Sequence, residues 1–225
     1  MNCIDVSEWN GNIDWKKAKE DGIEFAMIRC GFGYHGIDKY YNINLEGAAT
    51  AGITIGVYYY AYATDYDSAV SEAKHCIELI EDYKDIIKLP VFYDVEEPCN
   101  VNRIVDVCMG FINTMNYYGY NCGCYCTTSW YNAYFRDIAT DYIWLAYLGD
   151  TKPEYCDIWQ NDYHGSVDGV IGDVDTDIVY NKDMKLLINE PDPKPQPDIK
   201  TITFNGNVTI TECNGDITII IKKGD

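Results

Sequence analysis

A chain of 225 residues with 47% hydrophobic residues has the length and apolar content to bury one substantial core. Its formal net charge of -19 sets the surface against nucleic acid, whose phosphates it would repel. No apolar run approaches the roughly 18–20 residues needed to cross a bilayer, so membrane insertion is not expected.

The opening MNCIDVSEWNG lacks the basic region and apolar stretch of a signal peptide, so the expectation is synthesis in the cytoplasm without a leader. Cys3–Val6 reads as a strand. A helix follows over Asp14–Asp21 with Asp14 as its N-cap, then a strand over Glu24–Gly31, a helix near Asn44–Ala51 and a strand over Thr54–Ala63. Ala69, Ala73, Cys76, Ile77 and Ile80 recur at helical spacing within Asp67–Tyr83. The run LPVFYDVEE predicts a buried strand over Leu89–Glu96, and the next helix, near Asn102–Tyr118, stops at Gly119. Cys122–Thr128, Ile143–Leu148, Asp157–Gln160 and Asp175–Tyr180 read as strands with little helix between the later ones. Seven or eight strands alternating with helices over short links favour an α/β fold with a closed, mainly parallel barrel over residues 1–190.

PDPKPQPD, residues 191–198, predicts a stiff linker reaching about 25 Å. In residues 199–225 the turns Asn205-Gly206 and Asn214-Gly215 separate three alternating runs, the mark of a small three-stranded β meander. So short a sheet cannot build its own core. Self-association through Ile199–Lys222, giving a homo-oligomer, is the favoured reading, with anchoring to a partner surface second. The ten cysteines mostly sit inside apolar patterns, including Cys122, Cys124 and Cys126 on one strand face, and read as small reduced core residues.

The chemistry concentrates at strand ends. Asp94 and Glu96, two residues apart, would project from one face at the end of a core strand, roughly 6.5–7 Å apart at Cα. Two carboxylates are the minimum equipment for cutting a glycosidic bond, yet such a pair alone is more often a solvated strand end. Asp5 and Asp175 occupy similar positions, as do Tyr58, Tyr60 and Tyr62 on one face, Trp144, Tyr147, Trp159 and Gln160. Rings with polar tips beside strand-end acids make a saccharide cleft the better reading. No Gly-rich phosphate loop follows a strand, and His35, His75 and His164 are scattered, so no nucleotide, metal or other cofactor is expected.

The order of motifs resembles glycoside hydrolase family 25, the Chalaropsis-type lysozymes (muramidases) of bacteria, fungi and phages. The matching pieces are IDVSEWNGNIDW at Ile4–Trp15, GVYYY at Gly56–Tyr60, YDVE at Tyr93–Glu96, IWLAY at Ile143–Tyr147, DIWQ at Asp157–Gln160 and GDVDTD at Gly172–Asp177. The resemblance implies an irregular TIM-like (β/α)5(β)3 barrel. It also implies cleavage, with retention, of the β-1,4 bond between N-acetylmuramic acid and N-acetylglucosamine in cell-wall peptidoglycan. By the same resemblance Glu96 is the proton donor. Asp94 stabilises the oxazolinium formed when the substrate's own N-acetyl group attacks, and Asp5 and Asp175 line the cleft. The family often has Gln where Asn10 stands, His at Tyr59 and Asn at Asp177, which leaves every reacting carboxylate in place.

A general acid needs burial and neighbouring negative charge to stay protonated, and Glu96 is expected to have both, while Asp94 is expected to stay ionised. A non-catalytic glycan-binding barrel would be expected to lose Asp94 or Glu96. A metal-dependent phosphodiesterase would be expected to add histidines. A chitinase would carry further Asp where Pro90 and Phe92 stand. A phage or prophage endolysin acting on the wall after release is the expected setting, with a bacterial autolysin as the alternative.

Overall fold

The computed structural model describes residues 1–136 and 138–187 in full, together with the backbone of three strands at 200–204, 208–213 and 216–221. The chain divides into two units, Met1–Ile188 and Asn189–Asp225.

The first unit contains strands β1 (Asn2–Val6), β2 (Phe25–Phe32), β3 (Gly36–Ile37), β4 (Thr54–Tyr60), β5 (Ile87–Asp94), β6 (Cys122–Thr127), β7 (Tyr142–Ala146), β8 (Ile158–Gly165) and β9 (Val174–Val179). Its helices are α1 (Trp15–Glu20), α2 (Tyr41–Thr50), α3 (Tyr66–Ile80), α4 (Ile104–Tyr117) and a short α5 (Thr128–Trp130) that widens into a π-helical turn at Tyr131–Phe135. Neighbour order β1-β9-β8-β7-β6-β5-β4-β2, with β1 paired to β2, closes the sheet, and β3 hooks onto β2. Every pairing from β1–β2 round to β7–β8 is parallel, whereas β9 runs antiparallel to both β8 and β1. Helices cross between the first six barrel strands and no helix among the described residues separates the last three. The architecture is the (β/α)5(β)3 barrel the motifs imply.

Local chemistry sets the boundaries. Asp14 caps α1 by accepting the Lys17 N–H, and Asp65 caps α3 through a reciprocal bond with Ser68. α4 stops at Gly119, whose φ of +88° suits glycine. β5 starts earlier than the sequence suggests, at Ile87, and runs through Pro90. The register against β4 slips between Ile55 and Val57, and this irregularity accommodates a proline that lacks an N–H. β5 also ends earlier, at Asp94, so Glu96 lies just beyond the ladder. β8 continues to Gly165, five residues past its expected end.

Strand alternation divides the interior in two. Outward side chains such as Ile4, Val57, Val91, Tyr93, Leu145 and Trp159 pack beneath the helices. Cys122, Cys124 and Cys126 share that outward face with Cys108 of α4, and burial pushes the thiols of Cys108, Cys122 and Cys126 up, leaving them small protonated core residues. Inside the barrel, Trp144 is the central plug, with its ring 4.7 Å from Tyr125 and 5.8 Å from both Tyr58 and Phe92. Gly123 makes room for that layer, since a Cβ there would stand 2.5 Å from the Phe92 ring.

The second unit is a three-stranded antiparallel meander, β10 (Lys200–Phe204), β11 (Val208–Cys213) and β12 (Asp216–Ile221). Its register places Ile202, Ile210 and Ile219 in one row across the sheet. The linker at 191–198 and both Asn-Gly turns lie outside the described residues.

Candidate active site

A cavity of about 400 Å³ opens at the C-terminal ends of the parallel strands. Asp5 of β1, Asp94 at the end of β5, Glu96 and Asp175 of β9 all line it, as do Tyr58, Tyr60, Tyr62, Trp144 and Gln160. Alternation continues past the β5 ladder: Asp94 faces the cavity, Val95 packs outward, and Glu96 returns to the cavity. Asp5 and Asp175 are direct cross-strand partners, which brings together acids 170 positions apart.

Tyr147 is the exception. It lines a separate depression with Tyr131, Arg136 and Tyr155 on the other side of the barrel wall. Period-two alternation explains this, because Trp144 and Ala146 face inward and so Leu145 and Tyr147 face away. Trp159 likewise packs outward, with its indole N–H bonded to the Tyr147 carbonyl.

Six cavity residues lie outside those expected from the sequence: Ser7, Glu8, Trp9, Arg29, Phe32 and Tyr125. The strand-to-turn passage at Ser7–Gly11 holds three of them. Ser7 Oγ accepts the Trp9 N–H while Asn10 Oδ1 accepts the Ser7 N–H at 2.9 Å, and Gly11 at φ +66° turns the chain. This device sets Glu8 on the cavity wall and Trp9, 83% exposed, at its rim. Arg29 of β2 reaches Glu8 Oε1 at 2.9 Å through Nη2 and Asp38 Oδ2 at 2.8 Å through Nε. Tyr125 donates to Gln160 Oε1 and Gln160 Nε2 donates to Asp5 Oδ2, each at 2.7 Å.

Acids so enclosed resist ionisation. Burial, then Glu97 and Asp175, push the Glu96 carboxyl up, and the Tyr60 hydroxyl opposes them. Asp94 is held well above the usual carboxylate range by burial, then Glu96 and Asp5, with Arg29 opposing. Its Oδ1 is buried without a hydrogen-bond partner. The expectation of a freely ionised Asp94 beside a protonated Glu96 therefore needs correction: both are raised, because both are desolvated within one cluster. Asp175 is pushed up to about 6, chiefly by burial. Asp5 is raised by burial and Asp175 against the bonds from Gln160 and Asp177. Among the described residues no group of histidines, cysteines and acids is arranged to hold a metal ion.

A further buried acid stands behind the cleft. Glu72 of α3 accepts the Tyr62 N–H at 3.0 Å and the Tyr93 hydroxyl, so it clamps the segment that carries Tyr62 to the rim. Burial pushes it up to about 7 from the ordinary glutamate value of 4.5. A folded-state pKa above the unfolded one means the native state binds the extra proton, so this contribution is fully present below about pH 4.5 and is lost as pH rises through 7. Glu72 alone contributes on the order of 3 kcal/mol to that slope. The melting temperature should fall by roughly 6–12 °C between mild acid and pH 7.5. Scanning calorimetry on the wild type and Glu72→Gln checks this, the variant being expected to show the flatter profile. A melting temperature that climbs with pH would contradict the assignment.

Comparison with known proteins bears on this geometry. The profile of the glycosyl hydrolases family 25 matches residues 4–170. The chain belongs to family 25. This family 25 chain is 28% identical over 232 residues to the autolytic lysozyme of Clostridium acetobutylicum, covering 100% of the chain and 67% of that protein. Among solved structures it matches the modular autolysin LytC of Streptococcus pneumoniae in complex with a synthetic peptidoglycan ligand. That match has 28% identity and a TM-score of 0.71 over 80% of the chain, and spans only 46% of LytC. The catalytic domain of the endolysin ply40, from Listeria monocytogenes bacteriophage P40, shares the fold at 23% identity with a TM-score of 0.73, covering 80% of this chain and 93% of that one.

Proposed function

We propose that the chain is a peptidoglycan hydrolase that cleaves the β-1,4 bond between N-acetylmuramic acid and N-acetylglucosamine with retention of configuration. Glu96 serves as general acid and then general base, and Asp94 supports an oxazolinium formed by the substrate's own acetamido group. One observation carries the reading. Asp94 and Glu96 share a cavity, and a buried Asp94 oxygen has no partner in the free protein. An acetamido N–H is a fitting donor to that oxygen, and it grows more acidic as its carbonyl oxygen attacks the anomeric carbon. The reactive form is the one in which Asp94 has already lost its proton to solvent, so that its carboxylate balances the positive charge that develops. Glu96, whose carboxyl is pushed toward its protonated form by burial and by Glu97 and Asp175, delivers a proton to the leaving oxygen and takes one from water in the second half-reaction. Tyr62 and Trp9, both exposed at the rim, offer ring faces to sugars. An endolysin and an autolysin would run this chemistry alike.

Digestion of purified walls, with mass spectrometry of the new reducing ends, tests the reading. Muramic acid at those ends supports it, and glucosamine ends overturn it. Proton NMR of the first-formed anomer tests retention, the β product being expected.

The second unit we assign to self-association. Its register sets isoleucines in a row across the sheet, with no helix among its described residues. Deleting residues after Glu190 should leave cleavage of a soluble muropeptide within about twofold, the magnitude of a remote change, and should lower the mass seen by light scattering to that of a monomer. A monomer with and without the tail rejects self-association.

A further inference from the structure

One buried carboxyl has no part in the scheme above. Asp177, on β9 two residues past Asp175, faces the barrel interior and is 2% exposed. Its Oδ1 accepts the Trp144 indole N–H at 2.7 Å, whereas its Oδ2 is enclosed without a donor. The groups facing it are Cys3 and Asp5 on β1, Asp175 on its own strand, Gln160, its cross-strand partner on β8, and Trp144 on β7. None of these is a cation. An ionised carboxylate with a bare oxygen is costly in such a place, and the cost falls if that oxygen carries a proton and donates it.

We infer that Asp177 is a positioning residue present as the neutral acid, donating its Oδ2 proton to Asp5 and so making it easier for Asp5 to become an anion beside the reaction centre. On the paired strands Cys3 stands opposite Asp177 and Asp5 opposite Asp175, so Asp5 and Asp177 are diagonal neighbours on one face, and a hydrogen bond between them raises Asp177 while it lowers Asp5. Which of them keeps the proton follows from their other partners. Asp5 opens onto the cavity and already accepts the Gln160 amide at 2.7 Å, so with Asp177 it has two donors, as an anion requires. Asp177 has the indole alone and no access to the cavity. Burial and repulsion by Asp5 both hold the Asp177 carboxyl well above the usual range, in agreement with that placement. The chain Trp144–Asp177–Asp5–Gln160–Tyr125 then satisfies its donors in sequence, from the barrel floor to the cleft wall. The inference rests on the reading of Asp5 as part of a hydrolytic site, but the location of the proton can be measured without substrate.

Two variants separate the roles. Asp177→Asn keeps a donor toward Asp5 without a titratable group, and Asp177→Leu keeps the volume without the donor. At pH 7 the infrared difference between wild type and Asp177→Asn should show a protonated-carboxyl C=O band that the variant lacks. Asp177→Asn should retain kcat within about threefold, with the acid limb of its pH profile in place. Asp177→Leu should lose about tenfold or more in kcat, as when a hydrogen bond to a charged group is removed, with KM little changed. Its acid limb should move to higher pH, because Asp5 without its donor takes up a proton sooner. The inference is overturned by absence of the infrared band, or by equal kcat in the two variants. It is also overturned if the Asp177→Asn acid limb shifts to lower pH, which removal of a true negative charge beside Asp5 would cause. If Asp177→Leu fails to fold, the band and the Asp177→Asn profile still decide. If the wild type cleaves no wall, the proposed function fails, while the infrared arm still locates the proton.

Discussion

Glu96→Gln should lower wall lysis by about 10²–10⁴-fold, the usual contribution of a positioned proton donor, and leave the fold intact. The amide matches the carboxyl in shape and cannot deliver a proton. The Glu96 carboxyl is already disfavoured as an ion by burial, Glu97 and Asp175, so exchanging it for a neutral group removes no stabilising charge. The variant should therefore melt at or slightly above the wild-type temperature at pH 7.5, which separates lost chemistry from lost structure. Asp94→Asn should be nearly as damaging, because an amide cannot take up the charge that the proposed oxazolinium needs opposite it. Asp5→Asn and Asp175→Asn should keep more activity, since neither acid transfers the proton and each acts through the field around Glu96 and Asp94. Turnover of soluble muropeptide and calorimetry on the four variants give this ranking. Near-normal turnover by a well-folded Glu96→Gln would remove the proton donor from the mechanism.

What the sequence discloses follows from which interactions are periodic. Strands and helices are legible because their burial repeats every two or 3.6 residues, and the order of strand and helix leads to a barrel with little ambiguity. The same alternation places Asp94 and Glu96 together even though the ladder stops at Asp94. Tyr147 was open to the same test: three positions beyond Trp144, it has the opposite parity and falls outside the cleft. Arg29 leaves a fainter trace, a single charge in the apolar run FAMIRCGF. A charge so placed demands a partner, but the sequence does not show that the partner is Asp38, across the β2–β3 turn, or that Glu8 joins it. Trp9 and Tyr125 give less still, since a ring beside a turn and a ring in a strand both suit ordinary packing. Asp177 sits in the same GDVDTD motif as Asp175, and only the antiparallel pairing of β9 with β1 distinguishes a cleft acid from one enclosed in the barrel layer below it.

Arg29→Met should have the largest effect on stability and should also alter catalysis, through two separable routes. The Asp38 side chain is fully enclosed, and its Oδ2 is held by Arg29 Nε at 2.8 Å and by the Glu8 N–H at 2.9 Å. Removing the guanidinium leaves a buried charge with only backbone donors, from Glu8 and Tyr40, and breaking such a pair costs about 3–5 kcal/mol. The same cation is the group that opposes the upward push on Asp94. Without it Asp94 ionises less readily, so the acid limb of the pH–activity profile should move to higher pH. It also ties down Glu8 in the short turn that presents Trp9, so KM should rise as the rim loosens. A second change, Asp38→Asn, distinguishes these effects because it removes the stranded charge and nothing near Asp94. The double variant Arg29→Met/Asp38→Asn should recover much of the lost melting temperature while keeping the displaced acid limb. If stability and pH profile return together, Arg29 acts on the site only through the fold. If the profile stays displaced in a restabilised protein, a single cation among six cavity-lining side-chain charges, five of them carboxyls, sets how readily the proposed mechanism can ionise Asp94.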